Sequence, residues 1–530
     1  MPTWNLAVRA RDSLRRSMRA LAVACCGVVL VLVLTGLDAA AQAERPPGRE
    51  IPPAMPIPLM FPTALDRPMQ PERPYIGLLR YDEDWSSLKD PANRTELWDR
   101  LKYISLGRPD WYLSLGGETR QRYEIYDNFP FSRQAPSDTG GYYMMRYMLH
   151  GDLHMGQHVR VFGQLKSALI FDKDPAPTGA DKDELDVNQL FVDLKSALGE
   201  SGEAVTLRLG RQELHYGMGR LLTIREGPNN RQGWDGGRAI LRIPNWQIDA
   251  LYALDVKDVQ HVFDDRTWDA QRVWGVYATT ALGFLPGSWL DIYYLGNQVD
   301  KEFVEREHSG YFQDFVLGIG DEVRHSFGSR FFGGHGQLDW DMEAIVQTGE
   351  HKHNSILAFS VSVGGGYTVP PLPASPRFTL GLDFVSGDRD ATKGDVETFR
   401  PIVFRGNYSG EAAFLQLSNI IKVHPGVDLH LRRDMFLFLD FPVFWRMTEE
   451  DGLYSPGGFV VAAPVIVGPT GPRSIKERYV GFQPSFQYIW QMTQYLMFSA
   501  SYAHFVSGDY LKKAGRGDAK FGAVWLTYKF

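Results

Sequence analysis

Four charged side chains at alternate positions, Glu118, Arg120, Arg122 and Glu124, occupy one face of the segment LSLGGETRQRYE. Two kinds of chemistry need such groups. A pair of carboxylates can serve as acid and base in glycoside hydrolysis, and a planar guanidinium can grip a carboxylate through two parallel hydrogen bonds. The other face carries Leu113, Leu115, Gly117, Thr119, Gln121 and Tyr123. In a soluble sheet the charged face would meet water outside the molecule, whereas in a transmembrane barrel it would line the lumen.

The same alternation puts Arg146, Arg160, Arg208, Arg238 and Arg242 on inward positions, with Arg324 and Arg432 further along. Asp152, Asp249, Asp341 and Glu343 join Glu118 and Glu124 there. Arginine is concentrated between Arg120 and Arg242 although the chain as a whole carries a net charge of −7. That distribution predicts a locally positive passage, with the carboxylates holding the guanidinium forks so that a passing anion can leave. Ion pairs that only brace the wall are the alternative.

Other catalytic signatures are missing from the sequence: no Walker loop, HExxH, GxSxG or spaced Cys/His metal site occurs. His150 and His154 flank Asp152 but read as lining, not as metal ligands, and no cofactor is expected. The acidic stretch with Asp181, Asp183, Glu184 and Asp186 lacks the glycine and closing glutamate of a calcium loop and reads as a solvated connection.

The elements that must position these residues follow from the ends and the periodicity. Residues 1–43 have a basic start, an apolar run from Leu21 to Leu37 and the small-residue site Ala41-Gln42-Ala43, the pattern of a cleaved secretory signal. The only two cysteines, Cys25 and Cys26, lie within it, so the exported chain would have no disulfide. Residues 44–75 are proline-dense and read as a periplasmic linker; residues 76–110 read as an amphipathic segment, a helix packed in a barrel mouth or on a surface.

From residue 111 to 530 period-two segments dominate: 113–124, 143–155, 158–169, 188–194, 205–212 and 238–243. They continue at 246–254, 272–278, 289–296, 323–332, 338–347, 357–367 and 378–385, then 427–432, 436–445, 479–490, 496–505 and the last strand. Aromatic residues make up 13% of the chain, and short turns alternate with long loops. Such a pattern predicts an all-β fold, a monomeric transmembrane antiparallel β-barrel of about 18 strands. The closing FGAVWLTYKF ends with Tyr528 and Phe530 on its apolar face, which resembles the signal read by the barrel assembly machinery.

The stretch LRLGRQELHYGMGRLLTIREGPNNRQGWDGGR, with RYDEDWSSLKDP, LKYISLG, LGGETRQRYE, DELDVNQLFVDL and DFVSGD, resembles the alginate-export family of outer-membrane β-barrels. The resemblance implies 18 strands and a conduit for an anionic polysaccharide through an arginine-lined constriction capped by loops. On the motif's polar positions stand Arg211, Arg220, Arg225, Asn229, Arg231 and Asp235, in a glycine-rich setting that suggests an inward fold of the wall or a loop at the mouth, and the resemblance implies that Arg211 lies on the substrate path. The expected reading is a passive channel, not an enzyme, in the outer membrane of a Gram-negative bacterium. Its partners would be membrane lipid, the assembly machinery, an anionic polysaccharide and periplasmic export scaffold proteins, with no nucleic acid. A general or small-anion porin, an outer-membrane hydrolase and a plugged structural barrel are the alternatives.

Overall fold

The computed structural model describes residues 76–530 apart from 129–139, 174–176, 200–201, 308–310, 371, 391–393 and 469–470. The expected signal segment 1–43 and the whole proline-rich stretch 44–75 therefore lie outside the described residues.

Eighteen antiparallel strands close into one barrel. The first six are β1 (Trp111–Asp127), β2 (Gly140–Met155), β3 (Val159–Phe171), β4 (Asp183–Ala197), β5 (Ala204–Gln212) and β6 (Trp234–Ile243). Next come β7 (Trp246–Lys257), β8 (Arg266–Ala281), β9 (Ser288–Val299), β10 (Glu322–His335), β11 (Leu338–His351) and β12 (Asn354–Thr368). The circuit ends with β13 (Arg377–Val385), β14 (Ile420–Arg432), β15 (Met435–Asp440, resuming at Val443–Arg446), β16 (Tyr479–Phe482, resuming at Ser485–Gln491), β17 (Leu496–Ser507) and β18 (Ala519–Lys529). Closure is made by β1 against β18, from Glu118 opposite Lys529 to Asp127 opposite Lys520. Each strand overlaps one period-two segment of the sequence, because side-chain alternation is the one property a two-sided barrel wall must keep.

Burial follows that alternation. On β1, Glu118, Arg120, Arg122 and Glu124 are buried, while Tyr123 and Ile125 between and beyond them are 47% and 50% exposed on the outer surface. Short turns such as 244–245, 336–337 and 433–434 gather at one end, and the long connections 213–233, 300–321, 386–419 and 447–478 at the other. The two-residue turn 352–353 is an exception at the long-loop end.

Residues 76–105 close the short-turn mouth, but not as one helix. They form 3-10 turns at Arg80–Asp82, Ser86–Lys89 and Pro91–Asn93, one α-turn at Asp99–Lys102 and a two-residue strand, Ile104–Ser105. Pro91 disfavours helical backbone at Asp90, and the Asp90 carboxylate accepts from Ala92 N at 2.9 Å, so the segment breaks there. Arg80 ties the segment to both edges of the barrel seam, donating to Gly117 O (3.0 Å) and Phe530 O (2.7 Å). Trp98 Nε1 donates to Tyr528 Oη at 2.6 Å, and the Tyr81 ring meets Phe162 and Phe191 edge-on.

The lumen is filled from the other end. The connections 213–233 and 386–419 pair backbone to backbone, with Ile402 N and Val403 N both donating to Leu221 O at 2.9 and 3.1 Å. Around that junction Leu221, Leu222, Phe399, Phe404, Phe414, Leu453 and Tyr510 form an apolar core inside the barrel.

Candidate functional site

The inward turn of 213–233 is made by HYGMGR. Gly217 and Gly219 take positive φ values of 55° and 72°, which a side chain would strain. Beyond it, Asn229 Nδ2 donates to three backbone carbonyls, of Met145, Leu169 and Asp181, at 3.1, 3.0 and 3.2 Å. The loop is thereby pinned to the β2 and β3 wall with its charged tip in the lumen.

That tip completes a network with the wall. Arg146 Nη2 lies 2.5 Å from both Glu118 Oε1 and Glu226 Oε1, and Arg231 Nε lies 2.5 Å from Glu226 Oε2. Arg231 also faces Glu213 at 3.4 Å, and Lys529 faces Glu118 at 3.6 Å. Arg122 pairs with Glu124 and with Glu411 of the second loop, the latter at 3.1 Å, while stacking on Trp525. Two guanidiniums are less well matched. Arg120 donates to the Glu226 and Pro228 carbonyls at 3.1 and 2.9 Å and reaches the shared Glu226 carboxylate only at 3.8 Å. Arg405 donates to Asn407 Oδ1 at 3.1 Å, and among the described residues no carboxylate oxygen lies within 4.0 Å of it. Six cations thus face five carboxylates.

Burial sets the charge states of the loop members. For Glu226, burial pushes the carboxyl up, but Arg146 and Arg231 overcome it and hold the pKa at about 2. For Arg405, burial dominates and lowers the guanidinium to about 10, with Glu411 opposing. The best-paired group is therefore firmly charged, and the unmatched cation is the one most readily stabilised further by an added anion.

A second network follows on β8 to β11. Arg220 Nη1 sits 2.9 Å from Asp341 and 2.7 Å from Glu343, and its Nε donates to Tyr408 Oη at 2.9 Å. Tyr293 donates to Glu343 and Tyr277 to Asp291, each at 2.7 Å, and the rings of Tyr216, Tyr277 and Tyr293 stack in series. Arg238 grips Asp249 at 2.9 Å beside Tyr216.

Other residues singled out in the sequence fall elsewhere. Arg160 pairs with Asp152 at 2.7 Å and donates to Tyr81 O, and Arg208 pairs with Asp193 at 2.8 Å under the Tyr81 ring; both brace the mouth-closing segment. Arg225 reaches Asp258 at 2.7 Å at the long-loop rim. Arg211 and Asp235 pair at 2.8 Å, but Arg211 stands opposite Leu190, which is 54% exposed on the outer face, so this pair belongs to the rim and not to the lumen wall. Arg242 and Arg432 are exposed at short turns, bonded to Gln247 and Asp434. Sequence reasoning missed Arg405, Asn407, Tyr408 and Glu411, which lie on a connection without periodicity, and Arg330 with Asp291 on strands it had placed.

A family model described as alginate export matches residues 111–524, more than half of the sequence. The chain belongs to the alginate export family. Among solved structures the family member is similar to Pseudomonas aeruginosa OpdK with vanillate, at 11% identity and a TM-score of 0.52, over 79% of this chain and 98% of that one. Pseudomonas aeruginosa OpdO matches at 11% identity and a TM-score of 0.51, over 81% and 98% of the two chains. Acinetobacter baumannii OccAB1 matches at 11% and 0.51, over 82% and 99%. At such identity the likeness concerns the barrel fold alone. No curated protein sequence matches the chain. Family and fold together make this alginate-export protein an outer-membrane channel.

Proposed function

We propose that this alginate-export protein passes an anionic polysaccharide of the polyuronate type passively across the outer membrane. The observation that carries the reading is the excess cation at the junction of the two inward loops, where Arg120 and Arg405 lack a carboxylate of their own. A uronate carboxylate arriving there would gain charge-assisted hydrogen bonds without first displacing an ion pair. The surrounding pairs, Arg146 with Glu118 and Arg122 with Glu411, keep the remaining forks occupied, so the polymer would be guided and not trapped. On this reading the site residues Arg120, Arg122 and Arg146 line the path, and Arg160 and Arg208 act through the mouth.

Hydrolysis fits poorly with the same residues. Glu118 and Glu124 are six positions apart on one strand, about 20 Å, well beyond the roughly 5–9.5 Å that glycosidase carboxylates span. Passage of a smaller carboxylate is the second reading, and the packing of both loops into the lumen favours it, because a small anion needs less displacement.

Conductance of the full chain in a planar bilayer separates these readings, with oligouronates, neutral oligosaccharides and phosphate as blockers. For the polyuronate conduit, oligouronate blocks strongly, phosphate and neutral sugar weakly, and Arg120→Gln with Arg405→Gln raises the blocking concentration roughly tenfold or more, as loss of hydrogen bonds to charged groups predicts. Equal block by phosphate and oligouronate supports the small-anion reading, and release of sugar product from polysaccharide would overturn passive passage.

A further inference from the structure

The segment that closes the short-turn mouth also touches the loop that narrows the bore. Leu79 and Tyr81 share one buried apolar cluster with Phe162 of β3, Phe191 of β4 and Ile224 of the inward loop 213–233, and Leu78 packs against it. Two hydrogen bonds cross the same junction. Tyr81 Oη donates to Glu213 O at 3.0 Å, and Arg231 Nη1 donates to Leu78 O at 3.3 Å. The mouth segment therefore meets the loop at its start, in its middle and near its end.

This junction lies one side chain away from the charged tip. Arg231 holds Leu78 O, the Glu213 carboxylate at 3.4 Å and the Glu226 carboxylate at 2.5 Å. Glu226 in turn is the counter-charge that Arg146 shares at 2.5 Å and Arg120 reaches at 3.8 Å. Whatever fixes Leu78 and Tyr81 therefore bears on where Glu226 stands. Their own anchors are on the wall: Arg160 Nη2 donates to Tyr81 O at 2.6 Å, the Arg208 guanidinium lies 4.3 Å from the Tyr81 ring, and Arg80 grips the seam through Gly117 O and Phe530 O. Residues 84–97 are mostly exposed and belong to a separate cluster, in which Trp85 and Leu88 pack with Tyr103 and Tyr112.

We propose that residues 78–81 are positioning residues for the constriction: docked in the mouth, they hold Arg231 and with it Glu226 in the bore, and when they leave, loop 213–233 loses its support and withdraws. The coupling runs both ways, since two elements that stabilise each other's docked state do so by the same free energy. The proline-dense stretch 44–75 runs directly into these residues, so a pull on that stretch acts on 78–81 first and through them on the loop. The inference rests on the channel and not on which polymer passes.

The test is hydrogen exchange of the full-length barrel in detergent, read for peptides covering 76–83, 213–233 and 386–419, with open-channel conductance of the same variants in a planar bilayer. Each variant is first shown to be folded by heat-modifiable gel migration. Tyr81→Ala empties the slot between Phe162 and Phe191; it should speed exchange of 213–233 about fivefold or more, the low end of coupling between linked elements, raise conductance and leave 386–419 as in wild type. Tyr81→Phe keeps the ring and loses only the bond to Glu213, so most of the protection should return. In the reverse direction, Ile224→Ala, a change made only in the loop, should speed exchange of 76–83. A folded Tyr81→Ala barrel with 213–233 as protected as in wild type would overturn the coupling. So would Ile224→Ala with 76–83 unaltered, or equal loosening of 213–233 and 386–419 in Tyr81→Ala, which would mark a general weakening of the barrel.

Discussion

Two halves of the same lumen are filled by opposite means. Against β1 and β2, the loop 213–233 is held by charge: Arg146, Arg231 and Glu118, all buried, are linked with the half-buried Glu226 at 2.5 Å contacts. Against β13 to β18, the loops 386–419 and 447–478 are held by apolar packing of Phe399, Phe414, Leu453, Val480, Phe505 and Tyr510. One cation on that side, Arg446, donates to the backbone carbonyls of Glu449, Asp451, Ile475 and Glu477 and stacks on Tyr510 at 3.7 Å instead of meeting a carboxylate, although Lys422 pairs with Asp383 and Arg400 with Glu322, each at 2.8 Å. The difference teaches that one half offers charges a polyanion can engage, whereas the other is a folded wall that narrows the bore. Buried ion pairs add little net stability but are costly to break one partner at a time, and apolar packing loses stability in proportion to the cavity created.

The largest effect is expected from Glu226→Gln. The neutral amide leaves Arg146 and Arg231 without a shared counter-charge, at a cost of about 3–5 kcal/mol. Loop 213–233 should then leave the lumen, seen as a higher open-channel conductance and faster hydrogen exchange in its peptides, with the 386–419 peptides unaltered. Loss of exchange protection in both loops together would erase the distinction between the halves.

Phe414→Ala should give the mirror image, with a cost of about 3 kcal/mol or somewhat more. Phe414 packs edge-on against Phe505 at 5.6 Å, and its truncation should loosen 386–419 and 447–478 while oligouronate block stays near the wild-type concentration. A shift of that block by tenfold would show that the apolar half sets selectivity as well.

A smaller, reversible contrast should appear with pH. Glu226 has a folded-state value of about 2 against an ordinary 4.5, so its contribution to holding 213–233 is complete above pH 4.5 and is lost as pH falls toward 2. Asp388, at the root of the second loop, is raised by burial to about 7 from 3.8, with Asp451 adding to the rise. Its sign is reversed: the folded state binds the extra proton, so stability falls as pH rises from 3.8 to about 7 and levels off above. Exchange corrected for its intrinsic pH dependence should therefore show 386–419 loosening between pH 5 and 7 while the Glu226 contribution to 213–233 is kept. The smallest effect on stability, within about 1 kcal/mol, is expected for Arg405→Gln in a melting experiment, since no ion pair is broken; its mark is on uronate block alone.

Legibility from the sequence followed periodicity. Alternation placed Glu118, Arg120, Arg122 and Glu124 inward and located every strand, and the glycine-rich HYGMGR pointed to an inward fold. It erred at a strand end, where Arg242 is left at a turn; Arg211, expected on the path from its place in the motif, lies on the outer face with Leu207 and Leu209, as strict alternation requires. The break at Asp90-Pro91 was visible in principle, but a run of apolar and charged residues without strict period reads equally as helix.

What the sequence determined by itself was the wall, because a strand with lipid on one side and water on the other must repeat every two residues and each position answers to its own neighbours. Only the tertiary structure decided which arginines are free. Whether Arg120 and Arg405 have a carboxylate depends on where Glu226 and Glu411 arrive, and those ride on loops whose path is set by contacts between segments far apart in the chain, such as Leu221 with Val403 and Arg122 with Glu411. Ion pairing at such range leaves no periodic trace in sequence, since a 2.5 to 4 Å distance is fixed by the fold and not by spacing along the backbone.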